Sequence, residues 1–327
     1  MCAVKNAVKL ALGVDLGGTK ILTAIVNVRG ETLSRDYRAT PVQEGPDGVV
    51  KAIVDSVDVV LRQAGIAITD IEAVGIGAPG ISNPGTGTII TSPNLPGWHD
   101  VPLRDMVAGK LDIKCFLVND ANAAALGEMS FGAGRGARNF IYVTLSTGIG
   151  GGIVVDGRVY SGSTGIAGEI GHMTIDDDGP LCNCGNKGCW EALASGRALE
   201  KEARRYIEEG ANTTILACAG GELEKVTARV IQVAAEQGDD LAQKLIARTG
   251  YYIGVGLANL INIFNPELII IGGGLSNMGD MLLKPALKEA AGRVYKASWQ
   301  AVRFARAELG ADSGVLGAAV FAFREES

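Results

Sequence analysis

A chain of 327 residues, 47% apolar and 20% charged, can bury two cores of roughly 150 residues each, and its composition excludes a disordered or fibrous protein. A net charge of −6 without a basic stripe excludes DNA or RNA as a partner, while small anions can still be held by backbone N–H groups. No apolar run approaches the roughly 20 residues of a membrane span, and the lysine-bearing N-terminus lacks the apolar core of a secretory signal, so a cytoplasmic protein without membrane partners is predicted.

In chain order, Leu10–Asn27 reads as a strand, a turn at Gly17-Gly18-Thr19, and a second strand. Such a turn can direct N–H groups and the Thr19 hydroxyl at a phosphate, or it can be a plain glycine hairpin. It is not a Walker A loop, because the order is GTK and a strand follows. Asp47–Gly65 carries apolar residues at helical spacing, with Asp47 as a capping residue and Gly65 as the stop. Ile71–Gly80 is a buried strand. Its Gly75, Gly77 and Gly80 mimic a dinucleotide fingerprint, but ISNPGTG follows and cannot open the required helix.

Thr91–His99 is a proline-rich loop in which Asn94 and Trp98 are candidates to face a sugar, a surface turn being the alternative. Cys115–Val118 is a short strand leading into Asn119-Asp120 and an alanine-rich helix. Asp120 can be a helix cap there, or a reacting group, since α/β enzymes place these at the carboxyl ends of strands. Phe140–Asp156 repeats the opening pattern of strand, glycine turn and strand about 130 residues later. One hairpin in each half implies an internal duplication, with two anion-gripping turns facing a cleft.

His172, Cys182, Cys184 and Cys189 follow with the spacing H-x9-C-x-C-x4-C, three thiolates and one imidazole, the ligand set of a closed structural zinc site. Buried free cysteines or a redox pair are the rival reading. The remaining cysteines (Cys2, Cys115, Cys218) are scattered, as in a reducing compartment. Glu169 and Glu191 flank the cluster and can accept hydrogen bonds from vicinal hydroxyls, or simply solvate the surface. Helices are predicted over Ser195–Gly210, Val226–Gln237, Asp239–Phe264 and Ser313–Phe323. The strand Glu267–Gly274 ends in three glycines where an adenosine can approach the backbone, a strand-to-helix turn being the alternative. No polar linker interrupts the chain, so a hinge near residue 120 is expected.

The segments DLGGTK, STGIGGG, AGEIGH and C-x-C-G-x-x-G-C resemble the ROK family (repressors, uncharacterised open reading frames and sugar kinases) over nearly the whole chain. The resemblance implies an α/β, actin-like ATPase (ribonuclease H-like) fold, with two α/β domains around a cleft and a zinc knuckle. The domains would span residues 1–119 and 120–311, and the final helix, 312–327, would return to the first. By the same resemblance Asp120 is the general base. Asn94, Asn119, Asp120, Glu169, His172 and Glu191 hold the sugar, with His172 also on zinc. Asp15, Gly17, Gly18, Thr19 and Lys20 match one phosphate segment, Thr147, Gly148, Gly150 and Gly151 the other, and Gly273 and Gly274 the adenosine segment. Ser146 stands where the family has glycine.

With only about ten residues before the first strand, no helix-turn-helix of the repressor branch is expected. The GAPG turn and PNLPGW look most like the bacterial ATP-dependent glucokinases, which implies ATP, Mg²⁺ and structural Zn²⁺ as cofactors and glucose as acceptor. Another hexose (N-acetylmannosamine, N-acetylglucosamine, fructose or allose), polyphosphate as donor, and a catalytically silent sugar sensor are the alternatives. A homodimer or homotetramer is the base-rate expectation for such an enzyme.

Overall fold

The computed structural model describes residues 8–326, so Cys2 lies outside the described residues. In chain order the elements are β1 (Leu10–Leu16), β2 (Lys20–Asn27), β3 (Thr32–Ala39), α1 (Gly45–Ala64), β4 (Val74–Ala78), β5 (Ile81–Asn83), β6 (Thr88–Thr91), β7 (His99–Val101), α2 (Leu103–Leu111), β8 (Cys115–Asn119) and α3 (Asp120–Phe131). They continue with β9 (Phe140–Leu145), β10 (Ile149–Val155), β11 (Arg158–Val159), α4 (Trp190–Ala194), α5 (Gly196–Glu208), α6 (Ile215–Cys218), α7 (Ala228–Glu236) and α8 (Asp240–Phe264). The last are β12 (Leu268–Gly272), α9 (Asp280–Arg293), α10 (Lys296–Ala301), β13 (Arg303–Arg306) and α11 (Ser313–Glu326).

Two five-stranded sheets have the orders β3-β2-β1-β4-β8 and β11-β10-β9-β12-β13, the same arrangement of successive strands in both halves of the chain. The repeated hairpin of the sequence is thus the start of a repeated sheet. A small three-stranded sheet, β5-β6-β7, carries the Asn94 loop between β6 and β7.

The chain divides into two compact units. Of the described residues, unit 1 comprises 8–142, 152–168 and 306–326; unit 2 comprises 143–151 and 169–305. The division differs from a single hinge near residue 120, because α3 belongs to unit 1. The physical reason is close packing of α3 on α11: a Cβ on Gly317 would lie 2.5 Å from the Ala123 carbonyl carbon. Gly75 of β4 is required in the same way by the backbone of Ala318, so α11 lies directly on the sheet.

Strand alternation fills both faces of the unit 1 sheet. Leu12, Val14 and Leu16 point to one core with Ile53, Val57 and Val60 of α1, while Ala11 joins Val315, Leu316 and Ala319 of α11 on the other. Trp98 is 1% exposed and sits in the first of these cores, so it anchors the loop and does not face a sugar. Asp47 is not the cap of α1 either. The cap is Glu44, with Pro46 in the first turn and Asp47 within it, and Gly65 closes the helix in the left-handed conformation as expected.

In unit 2, Trp190 is fully buried against Gly256 of α8, which fixes the chain immediately after Cys189. Gly250 of the same helix makes room for Pro285 inside α9. Among the described residues no helix is long and apolar enough to cross a membrane.

Candidate active site

β1, β4 and β8 run parallel, with Asp15 opposite Gly77 and Ala78 opposite Asn119. Asp15 and Asn119 therefore lie at the carboxyl ends of β1 and β8, which flank β4, two strand spacings or about 10 Å apart. β8 stops at Asn119 because its side chain turns back to cap α3, accepting the N–H groups of Ala121 (3.0 Å) and Asn122 (3.2 Å). Asp120 is thus not the cap. It is the first residue of α3, and its Oδ1 accepts the Ala121 N–H at 2.8 Å, which orients the carboxylate at the positive end of the helix.

The turn after β1 is closed by the Gly17 N–H on the Lys20 carbonyl (2.8 Å). Thr40 holds it from outside: its hydroxyl donates to the Gly17 carbonyl at 2.7 Å and its N–H to the Thr19 carbonyl at 3.1 Å. Gly18 faces the Asn94 backbone so closely that a Cβ would lie 2.5 Å from the Asn94 carbonyl oxygen. The turn and the Asn94 loop are therefore adjoining parts of one surface in unit 1. Burial pushes the Asp15 carboxyl above its ordinary value, with Lys20 acting against the rise. Its carboxylate lies beside Gly314 in the first turn of α11, a second helix end that favours a negative charge.

In unit 2 the turn between β9 and β10 is fixed by two neighbours. The Gly196 N–H donates to the Ser146 carbonyl at 2.8 Å, and the Ile149 N–H donates to Glu191 Oε2 at 2.9 Å. A Cβ on Gly148 would collide with the same carboxylate, so the second glycine turn lies directly against Glu191. Thr147 and Gly274 line one cavity of about 460 Å³ together with Glu200, Thr227, Arg229 and Asn277. Gly273 has φ +84°, and its Cα lies against the Leu145 backbone, which turns the chain from β12 toward that cavity.

The ligating atoms of His172, Cys182, Cys184 and Cys189 all lie within 4.8 Å of one another. His172 Nδ1 is 3.7 Å from Cys182 Sγ, and Cys184 Sγ is 3.6 Å from Cys189 Sγ. The sulfur–sulfur separation is too long for a disulfide. Both separations fit a four-coordinate ion, since metal–thiolate bonds of about 2.3 Å give tetrahedral edges of about 3.8 Å. Burial and the neighbouring thiols push the Cys189 thiol up to about 12. The other imidazole nitrogen, Nε2, is turned to Glu169 at 3.9 Å. Burial raises the Glu169 carboxyl, His172 lowers it and Glu191 raises it, so these three groups share one electrostatic environment.

The structure therefore brings the predicted residues together in two sets. Unit 1 assembles Asp15, the Gly17–Lys20 turn and Asn94 at one place and Asn119 with Asp120 at the same carboxyl-terminal end of the sheet's parallel strands. Unit 2 joins Thr147 to Gly274 around the cavity, and the second turn to Glu191 and the His172 cluster. Thr40, Glu200, Thr227 and Arg229 were not singled out in the sequence, where they carry no motif and meet the site only through folding.

Two α/β units with the same five-stranded sheet order, a glycine hairpin in each, and a carboxylate at a strand end are the features of an actin-like ATPase fold. Among known proteins, the glucokinase of Thermotoga maritima is 38% identical over 314 residues, covering 94% of this chain and 95% of that one. The xylose repressor of Caldicellulosiruptor bescii is 34% identical over 281 residues, covering 86% of this chain and 70% of that one. Among solved structures, a ROK family glucokinase from Streptomyces griseus, in complex with glucose and AMPPNP, has a TM-score of 0.83 and 37% identity, covering 96% of this chain and 99% of that one. The ROK family model matches residues 11–325, and the chain belongs to the ROK family.

The buried Asp15 yields a test with a definite sign. A carboxyl raised on folding destabilises the fold when ionised, a cost absent below the unfolded value near pH 3.9 and growing as pH rises through the folded value. Asp15→Asn is expected to raise the melting temperature of the ligand-free protein at pH 7, by about 2–4 °C per kcal/mol relieved, with the gain shrinking toward pH 4. The same variant is expected to lose activity. A lower melting temperature at pH 7 would show that the charge stabilises the fold.

Proposed function

We propose that this protein is a glucokinase, transferring the γ-phosphoryl group of ATP to the 6-hydroxyl of glucose. The observation that carries the reading is the Asp120 carboxylate, fixed by the Ala121 N–H at the start of α3 and at the same carboxyl-terminal end of the parallel strands as Asp15. The near-complete overlap with glucokinases supports glucose as the acceptor.

In this reading Asp120 accepts the O6 proton as O6 attacks phosphorus in line. The new O6–P bond forms as the bond to the β,γ-bridging oxygen breaks, and ADP leaves. Asn94, Asn119, Glu169, His172 and Glu191 bind the sugar hydroxyls. Half-buried carboxylates suit hydroxyl donors, and each pair formed discriminates against an acceptor that lacks the hydroxyl. The Gly17–Lys20 turn and the Thr147–Gly151 turn hold phosphates through N–H groups, and Gly273 with Gly274 admits the adenosine to the 460 Å³ cavity. A Mg²⁺ ion bound with ATP would neutralise charge on the β- and γ-phosphates. Asp15, a carboxylate beside the Gly17–Lys20 turn, is the residue here that fits it.

His172, Cys182, Cys184 and Cys189 fit a structural zinc. Four protein ligands close the shell, so the ion would stiffen the loop and not polarise substrate. With Nδ1 on the metal side, Nε2 is left to face Glu169 and a sugar hydroxyl, and the metal would set that tautomer.

ADP release measured over a sugar panel tests the assignment. Glucose with ATP is expected to exceed N-acetylmannosamine, N-acetylglucosamine, fructose and allose by about tenfold or more in kcat/KM, the discrimination that one or two hydroxyl contacts supply. A different preferred sugar, or polyphosphate as the better donor, would replace the assignment; no ADP with any of them would make the chain a sugar sensor. Metal analysis of the pure protein is expected to give about one zinc per chain, with chelation lowering the melting temperature. Metal-free protein of unchanged stability would remove zinc from the account.

A further inference from the structure

The turn after β1 contains the pair Gly17-Gly18, and the peptide plane they share has a glycine on either side. Glycine accepts nearly any backbone conformation, so local preference does not decide which way that plane faces. The orientation matters wherever an anion is bound. One side of a peptide plane presents an N–H, which attracts a phosphate, and the other a carbonyl oxygen, which repels it. The bond that closes the turn, from the Gly17 N–H to the Lys20 carbonyl at 2.8 Å, uses neither group of the Gly17–Gly18 peptide. Something outside the turn must set it.

Thr40 does so. β2 and β3 pair antiparallel with Lys20 opposite Ala39, and this register brings Thr40, one residue past the end of β3, beside Thr19. Thr40 is only 7% exposed, and its backbone is held at both ends. Its N–H donates to the Thr19 carbonyl at 3.1 Å, and its carbonyl accepts the Val42 N–H at 2.9 Å. From that fixed origin its hydroxyl donates to the Gly17 carbonyl at 2.7 Å. The peptides are trans, so the N–H groups of Gly18 and Lys20, across the same planes from the two held carbonyls, face away from β3. On its other flank Gly18 abuts the Asn94 backbone, which keeps the turn from moving off Thr40.

We propose that Thr40 is a positioning residue for the phosphate of ATP. Without touching the nucleotide, its hydroxyl holds the Gly17–Gly18 peptide so that the Gly18 N–H, and not the Gly17 carbonyl, is presented to the phosphate. Such preorganised donors cost no rearrangement when charge arrives. The inference rests on the reading of the Gly17–Lys20 turn as a phosphate segment, and it adds the residue that gives the turn its direction.

Steady-state kinetics and titration with AMPPNP, on the full chain with Thr40→Val and Thr40→Ser, test this. Valine matches threonine in shape, keeps both backbone bonds and removes only the donor. Thr40→Val is expected to raise the KM for ATP and weaken AMPPNP binding by about tenfold, the effect of one orienting hydrogen bond, with the KM for glucose unmoved. Thr40→Ser restores the hydroxyl and is expected to restore the KM for ATP. A hydroxyl that only stabilised the fold would lower the melting temperature and leave the KM for ATP and the AMPPNP affinity in place. That result in folded Thr40→Val overturns the proposal, as does an equal loss in Thr40→Ser, which would assign the effect to packing. Circular dichroism identifies a variant that fails to fold, and Thr40→Ala, which removes the hydroxyl with less bulk, is then read in the same way. An unmodified protein that forms no ADP from ATP with any sugar overturns the kinase reading and the proposal with it; an active kinase whose KM for ATP ignores Thr40→Val overturns the proposal alone.

Discussion

The hydrogen bond from the Ile149 N–H to Glu191 is the constraint on which unit 2 is built. Glu191 stands two residues after Cys189, and Trp190 between them is locked against α8, so the carboxylate has little freedom to move. Holding the N–H of the glycine turn, it joins the segment proposed for phosphate to the segment proposed for sugar. The His172 cluster gathers four side chains from within 18 residues of chain at the other end of the same loop, and the proposed zinc would brace it. A carboxylate that recognises a hydroxyl must be rigid to discriminate, and here the rigidity comes from a backbone bond, a buried tryptophan and the four clustered ligands together.

Unit 1 solves a different problem, the placing of charge at the end of a sheet. Asp15 and Asp120 both sit where parallel strands end and helices begin, so backbone dipoles offset part of the cost of burying them. The glycines that let α11 lie against β4 and α3 set the depth of that site. Asp15 is buried because α11 covers it, and its raised pKa follows from that cover. Stability is thus given up at a residue whose charge the proposed chemistry would use.

Much of this was legible in the chain. The glycine turns announced themselves because the strands on both sides are apolar, and their repetition matched a repeated strand order. The cysteine and histidine spacing gave the cluster, since metal ligation is a local pattern. Other parts were hidden for physical reasons. Asn119 and Asp120 are both good capping residues, and only the hydrogen bonds show that Asn119 caps while Asp120 projects. Pro285 disguised α9, because a proline inside a helix is tolerated only where a neighbour such as Gly250 makes room. Trp98 looked like a sugar platform from its loop but is core. Thr40 and Arg229 come from segments distant in sequence, and no local pattern marks them.

The central claim is that Asp120 takes the proton from the sugar hydroxyl. The most direct measurement is the turnover of Asp120→Asn with glucose and ATP, alongside its affinity for glucose. Asparagine keeps the size of the side chain but not its basicity. The account predicts a fall in kcat of about 10²–10⁴-fold, the range of general-base catalysis, with glucose affinity largely retained. Turnover near that of the unmodified protein would contradict it.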